Sequence, residues 1–208
     1  MRASSTEAEA AAAFLSAHRI EPDRFQIESA QAIDRGEAVV VTAPTGAGKT
    51  LIAEAAIARA VDRGSRSFYT TPIKALSNQK FGDLIAAYGS ERVGLLTGDN
   101  TINAEAPIVV MTTEVLRNMI YAGSAALHDL GVVILDEVHY LQDRYRGSVW
   151  EEVIIHLPQT VQLISLSATI ANPTEFTGWV ESRRGPTSLI VEDHRPVPLE
   201  STYLLSDR

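Results

Sequence analysis

The residue types and spacings best suited to chemistry occur first in Ala43-Pro44-Thr45-Gly46-Ala47-Gly48-Lys49-Thr50. Gly46 and Gly48 let the backbone turn tightly and bring its N–H groups close to an anion. At a helix N-terminus such groups carry a partial positive charge that favours phosphate. Lys49 adds a full charge near the β- and γ-phosphates of a nucleotide, and the Thr50 hydroxyl suits Mg²⁺. Thr45, Gly46, Ala47, Gly48, Lys49 and Thr50 are therefore the candidate nucleotide-binding residues. The usual first glycine of the pattern is Ala43 here.

A second cluster is acidic: Asp136-Glu137-Val138-His139. Asp136 is the candidate second ligand for Mg²⁺, opposite Thr50. A carboxylate beside the metal-binding one orients and polarises an attacking water, which makes Glu137 the candidate catalytic base, with Lys49 and His139 beside it. His139 is two residues on, placed to sense the γ-phosphate or to couple to a neighbouring loop. Ser167-Ala168-Thr169 offers hydroxyls, from Ser167 and Thr169, to hydrogen-bond His139 or Asp136. Taken alone the acids read as solvated loop residues and the tripeptide as a strand-end turn; only the upstream phosphate loop gives them meaning.

These groups act together only if the chain gathers them. Ala38 to Val41 is an apolar run that reads as a buried strand, and Leu51 to Val61 reads as a helix closed by Gly64. Further strands are expected at Ser67–Thr70, Val93–Leu96, Pro107–Met111, Gly131–Leu135, Val161–Leu166 and Ser188–Val191. Helices are expected at Thr6–Ala17 (capped by Ser4, Ser5 or Thr6), around Phe25–Gln31, at Ile73–Tyr88, from Thr112-Thr113 to Met119, at Ser148–His156, and at Pro173–Val180 with Asn172 as cap. Several strands are apolar on both faces, as a parallel sheet covered by helices requires. The expected fold is α/β, a doubly wound, mostly parallel sheet. Ligands of such sheets bind beyond the carboxyl ends of the strands, where all the loops named above fall.

Composition fits one core: 208 residues, 45% hydrophobic and 21% charged. The net charge of -8 provides no basic footprint, so nucleic acid would have to be bound by hydroxyls and backbone N–H groups rather than bulk charge. The absence of cysteine excludes disulfides, thiolate metal sites and a Cys nucleophile. No apolar run is long enough to span a membrane, and the Ala-rich start lacks a basic leader, so no membrane partner is expected and the cytoplasm is the expected compartment. His18, His128, His156 and His194 show no metal-ligand spacing.

Together, the Ala-Pro-Thr-Gly-Ala-Gly-Lys-Thr, Asp-Glu-Val-His and Ser-Ala-Thr motifs resemble the first RecA-like domain of superfamily 2 DExH-box helicases. Thr70 to Lys80, Gly94 to Asp99, Val110 to Met119 and Asp136 to Glu152 narrow the resemblance to superkiller-type RNA helicases, in a bacterial form. It covers about Phe25 to Leu204. It implies ATP and Mg²⁺ as cofactors, single-stranded RNA as partner (with DNA possible), and a ribonuclease complex as a further partner. Phe25 and Gln31 look like the adenine-recognition element. Ser167 and Thr169 look like coupling residues. Thr71, Pro72, Thr97, Gly98, Asp99, Thr112, Thr113 and Glu114 look like nucleic-acid elements, with Thr112-Thr113 as helix caps and Thr97-Gly98-Asp99 as a plain turn the ordinary alternatives. Arg144 and Arg146 read as capping and solvating a helix, with an RNA grip as the alternative.

The expected organisation is a helical extension over 1–24, a RecA-like ATP-binding domain over 25–193, and a linker over 194–208 toward a second RecA-like domain that such helicases need. The expected function is the ATP-binding and hydrolysing first motor domain of an RNA helicase, moving 3′ to 5′ by resemblance only. A DNA helicase or repair translocase and a non-catalytic nucleotide-binding scaffold are the alternatives. Glu137 argues against a metabolite kinase, which wants water excluded.

Overall fold

Five consecutive residues, Ala38 to Thr42, are all buried, which a strand achieves only when both faces of its sheet are covered. The computed structural model describes residues 10–17, 21–143 and 147–194. In chain order its elements are α1 (Ala10–Ser16), α2 (Arg24–Asp34), β1 (Ala38–Thr42), α3 (Lys49–Asp62), β2 (Arg66–Thr71), α4 (Lys74–Tyr88), β3 (Val93–Leu96), β4 (Thr101–Ile102), β5 (Ile108–Thr112), α5 (Thr113–Tyr121), β6 (Leu130–Leu135), α6 (Gly147–His156), β7 (Gln162–Ser167), α7 (Pro173–Arg184) and β8 (Thr187–Val191).

The strands form one sheet in the order β4-β3-β5-β2-β6-β7-β1-β8. Every pairing is parallel except β3 with β4. Alternation along β1 divides the core. Val39 and Val41 pack on the face covered by α1, α2, α3 and α4, while Val40 packs with Phe68, Val133 and Leu163 on the face covered by α5, α6 and α7. Register sets the functional edge: Thr42 pairs with Ser167 and Leu135 with Ser165, so β1, β7 and β6 end side by side.

Over the described residues the expected strands and helices all form, residues 6–9 of the first expected helix lying outside them. Their ends move by a few residues, as ends do where capping decides. Asn172 caps α7 by accepting from Glu175 N at 3.3 Å. β4 had no signal, because two exposed residues show no periodicity. Nor did the 3₁₀ turn over Val138–Gln142. α1 buries Ala11 and Leu15 against α2 and α3. The caps expected at Ser4, Ser5 and Thr6, the pair Arg144 and Arg146, and residues 195–208 of the expected linker are outside the described residues. Among the described residues no helix is long and apolar enough to cross a membrane.

Candidate nucleotide-binding site

The phosphate loop runs from the end of β1 into α3, whose first residue is Lys49. Gly46 and Gly48 have φ of +87° and +90°, the left-handed region where side chains are strained. At Gly46 the backbone alone demands glycine, since nothing lies within 4 Å of where a Cβ would sit. At Gly48 a Cβ would also meet Gln26 Nε2 at 2.6 Å. Lys49 folds back on its own loop, donating to Ala43 O at 2.6 Å and Pro44 O at 3.0 Å. Burial pushes its ammonium below the ordinary lysine range, while Glu137 and Asp136 oppose that shift. The loop and the acidic pair thus share one field, with β7 between their strands and Ala43 N donating to Ser167 O at 3.0 Å.

Both Asp136 oxygens are held. Tyr69 OH donates to Oδ2 at 2.6 Å and Glu137 N donates to Oδ1 at 3.0 Å. Tyr69 is buried, and its phenol is pushed well above its ordinary pKa by burial and then by Asp136, so it stays a donor. Glu137 has φ +56° and ψ +44°, a conformation costing a non-glycine residue about 1–2 kcal/mol and typical of functional sites. Its Oε2 is buried, accepts no hydrogen bond among the described residues, and lies 3.2 Å from His139 Nδ1. That contact becomes an ion pair only when the imidazole is protonated. His139 Nδ1 in turn faces Ser167 Oγ at 3.5 Å, and Ser167 Oγ donates to Thr169 O at 3.0 Å. Thr169 contributes its carbonyl here; its side chain is exposed.

The residues present fit a divalent ion shared with phosphates. Among the described residues no three His, Asp or Glu side chains are grouped to hold a metal, so an ion at Thr50 and Asp136 needs phosphate oxygens and water to fill its shell. The orphaned Glu137 Oε2 suits the proton of a water beside that ion.

The base-recognition pair is only half assembled. Phe25 lines a cavity of about 320 Å³ with Asp23, Ala47, Glu192 and His194. Gln31 is exposed on α2. Gln26 reaches the loop: its Nε2 donates to Gly48 O at 3.2 Å and its Oε1 accepts from Asp23 N at 2.9 Å. Helical spacing held the signal, because Gln26 is seven residues before the buried Ile33 and shares its face, whereas Gln31 does not.

The expected nucleic-acid elements meet along one groove of about 620 Å³. Pro72, Gly98, Thr112 and Glu114 line it. Other threonine hydroxyls are spent on the protein's own groups. Thr71 Oγ1 donates to Ile73 O at 3.1 Å and lies 2.7 Å from Ser77 Oγ, Thr113 Oγ1 donates to Thr71 O at 3.2 Å, and Thr97 Oγ1 donates to Asp99 Oδ1 at 3.2 Å. The groove gains two cations that motif reading passed over. Lys74 pairs with Asp99, and Arg117 pairs with Glu114 and Glu152.

A family model described as DEAD/DEAH box helicase matches residues 23–176. The chain is 56% identical over 186 residues to "Probable helicase HelY" of Mycobacterium leprae (strain TN), covering 89% of this chain and 20% of that protein. It is 54% identical over 183 residues to "DExH-box ATP-dependent RNA helicase DExH15 chloroplastic" of Arabidopsis thaliana, covering 85% of this chain and 16% of that protein. Among solved structures, the DUF1998 helicase MrfA bound to DNA and AMPPNP superposes with a TM-score of 0.70 at 22% identity, over 90% of this chain and 29% of that one. The structural likeness carries the fold, and the chain spans a fifth or less of the length of these two relatives.

Proposed function

The chain belongs to the DEAD/DEAH box helicase family, and on that premise we propose that it is the ATP-hydrolysing first motor domain of a superkiller-type RNA helicase. The observation that carries the reading is the meeting of the Lys49 loop with Asp136 and Glu137 at one end of the sheet. Loop N–H groups and Lys49 bind the triphosphate. Thr50 and Asp136 would hold Mg²⁺, whose charge would offset the negative charge that develops on the phosphate oxygens. Tyr69 and the Glu137 N–H fix the Asp136 carboxylate for that task. Glu137 takes a proton from a water as its oxygen attacks the γ-phosphorus and the bond to ADP breaks. His139 and Ser167 carry the change to neighbouring loops. Single-stranded nucleic acid lies in the groove of Pro72, Gly98, Thr112 and Glu114, with Lys74 and Arg117 toward its phosphates.

The Arabidopsis relative is named as an ATP-dependent RNA helicase, which favours RNA as the partner here. Comparing RNA with DNA of the same sequence as activators tests it here, because the 2′-OH separates them. A second RecA-like domain and a ribonuclease complex are the partners this reading proposes, and the cytoplasm its compartment. An arginine finger from the second domain is worth about 10³–10⁵ in rate, so the deciding assay uses single-turnover conditions. Glu137→Gln is expected to keep ATP binding and lose about 10²–10⁴ in the hydrolytic rate. Negligible hydrolysis in both wild type and variant would instead favour a nucleotide-binding scaffold.

A further inference from the structure

Within the nucleotide site stands a cation to which the motifs assigned no role. Lys80 projects from α4, and its Nζ donates to Thr50 Oγ1 at 3.1 Å. The same ammonium lies 5.9 Å from the centroid of the Tyr69 ring, within reach of a cation–π contact. Tyr69 in turn donates to Asp136 Oδ2. Lys80 and Tyr69 therefore link the two residues, Thr50 and Asp136, that would share a divalent ion. Lys80 also acts on Lys49, whose ammonium it disfavours.

The hydroxyl oxygen of Thr50 cannot serve both cations. A divalent ion bound at about 2.1 Å from that oxygen would stand within about 5 Å of an ammonium hydrogen-bonded to it. At that distance a single and a double charge repel strongly, with little screening by salt. Lys80 must then leave Thr50 when the ion arrives. Its flexible stem and half-buried position on α4 permit that movement, toward the added negative charge of the phosphates.

Resting on the nucleotide-site reading above, we propose that Lys80 is a positioning residue that competes with the divalent cation for Thr50 and substitutes for it on a metal-free nucleoside polyphosphate. Lys80 then sets how strongly nucleotide binding depends on Mg²⁺.

The test is equilibrium binding of ADP and ATP to the 208-residue chain, in excess Mg²⁺ and in EDTA, for wild type, Lys80→Met, Lys80→Gln and Lys80→Arg. The neutral variants are expected to weaken metal-free binding about tenfold, the worth of one lost charge-assisted hydrogen bond. They should leave Mg²⁺-loaded binding unchanged or tighter, so the ratio of the two affinities rises about tenfold. Lys80→Arg should stay near the wild-type ratio. A role in holding α4 in place would move both affinities together. An unchanged ratio in both neutral variants overturns the proposal while leaving the nucleotide site intact. Failure of the wild type to bind nucleotide with Mg²⁺ overturns the site itself, and this inference with it.

Discussion

Gln26 and Gln31 separate what a residue type suggests from what its position allows. Both are amides on one short helix, and both can offer a donor and an acceptor to a base or a loop. Only Gln26 is buried, and it spends its two groups on the N–H of Asp23 and the carbonyl of Gly48. It holds the phosphate loop at the residue whose left-handed backbone opens α3. Removing it would lose both bonds, each with a net worth of about 1 kcal/mol, although Gly48 O keeps its bond from Leu51 N at 3.1 Å. Gln26→Ala is expected to weaken nucleotide binding about tenfold or more, on that scale, and Gln31→Ala to leave it unchanged. Titrating a fluorescent ADP analogue against the two variants decides between them, and equal effects would return Gln31 to the site.

At the scale of elements, α1 is attached by polar groups as well as by its short apolar face. Its seven residues are too few to hold a helix by themselves. The Asp34 carboxylate at the end of α2 accepts from Ala11 N and Ala12 N, both at 3.0 Å, satisfying donors that every helix start leaves open. Asp34 also faces Arg59 Nε at 3.4 Å, and Arg59 Nη1 donates to Gln162 Oε1 at 3.0 Å. Gln162 Nε2 donates to Ile33 O and Glu37 O. One network thus joins α1, α2, α3 and the start of β7, at the sheet end opposite the nucleotide loops. Burial lowers the pKa of the Arg59 guanidinium, the mark of a charge that needs its partner. Asp34→Ala is expected to destabilise the fold by about 3–5 kcal/mol, because it leaves a buried charge without a counter-ion. Urea unfolding measures this, and limited proteolysis should cut first around α1. A loss below 1 kcal/mol would show that α1 is held by its apolar contacts alone.

For the whole molecule, the acidic composition and the alkaline limit of stability are the properties to test. Tyr88 packs against the core from α4, and burial pushes its phenol up to about 12, with Glu54 adding to the effect. A raised acid binds its proton more tightly in the folded state. The stability this gives is complete below the unfolded pKa near 10 and is lost as pH rises toward 12. Tyr69 acts in the same sense, whereas the lowered Lys49 acts in the opposite one. The comparison must therefore be between wild type and Tyr88→Phe. Urea midpoints measured from pH 9 to 12 (steps of about half a unit) are expected to fall less steeply in the variant. Parallel curves would mean that Tyr88 titrates alike in both states.

Taken by itself, the sequence determined the alternating strands and helices, the parallel sheet and the phosphate loop with its distant acidic pair. These follow from local causes: apolar period, punctuation by glycine and proline, and residue types that few environments tolerate together. Tertiary structure alone decided which glutamine faces Gly48, that Tyr69 and Lys80 join the metal-side residues, that Thr113 spends its hydroxyl on the Thr71 carbonyl, and that Lys74 and Arg117 share the groove. Those outcomes depend on strand order, which placed β2 beside β6 and β7 between β6 and β1. Contacts between residues dozens of positions apart exist only once that order is fixed, and no periodicity along the chain records it.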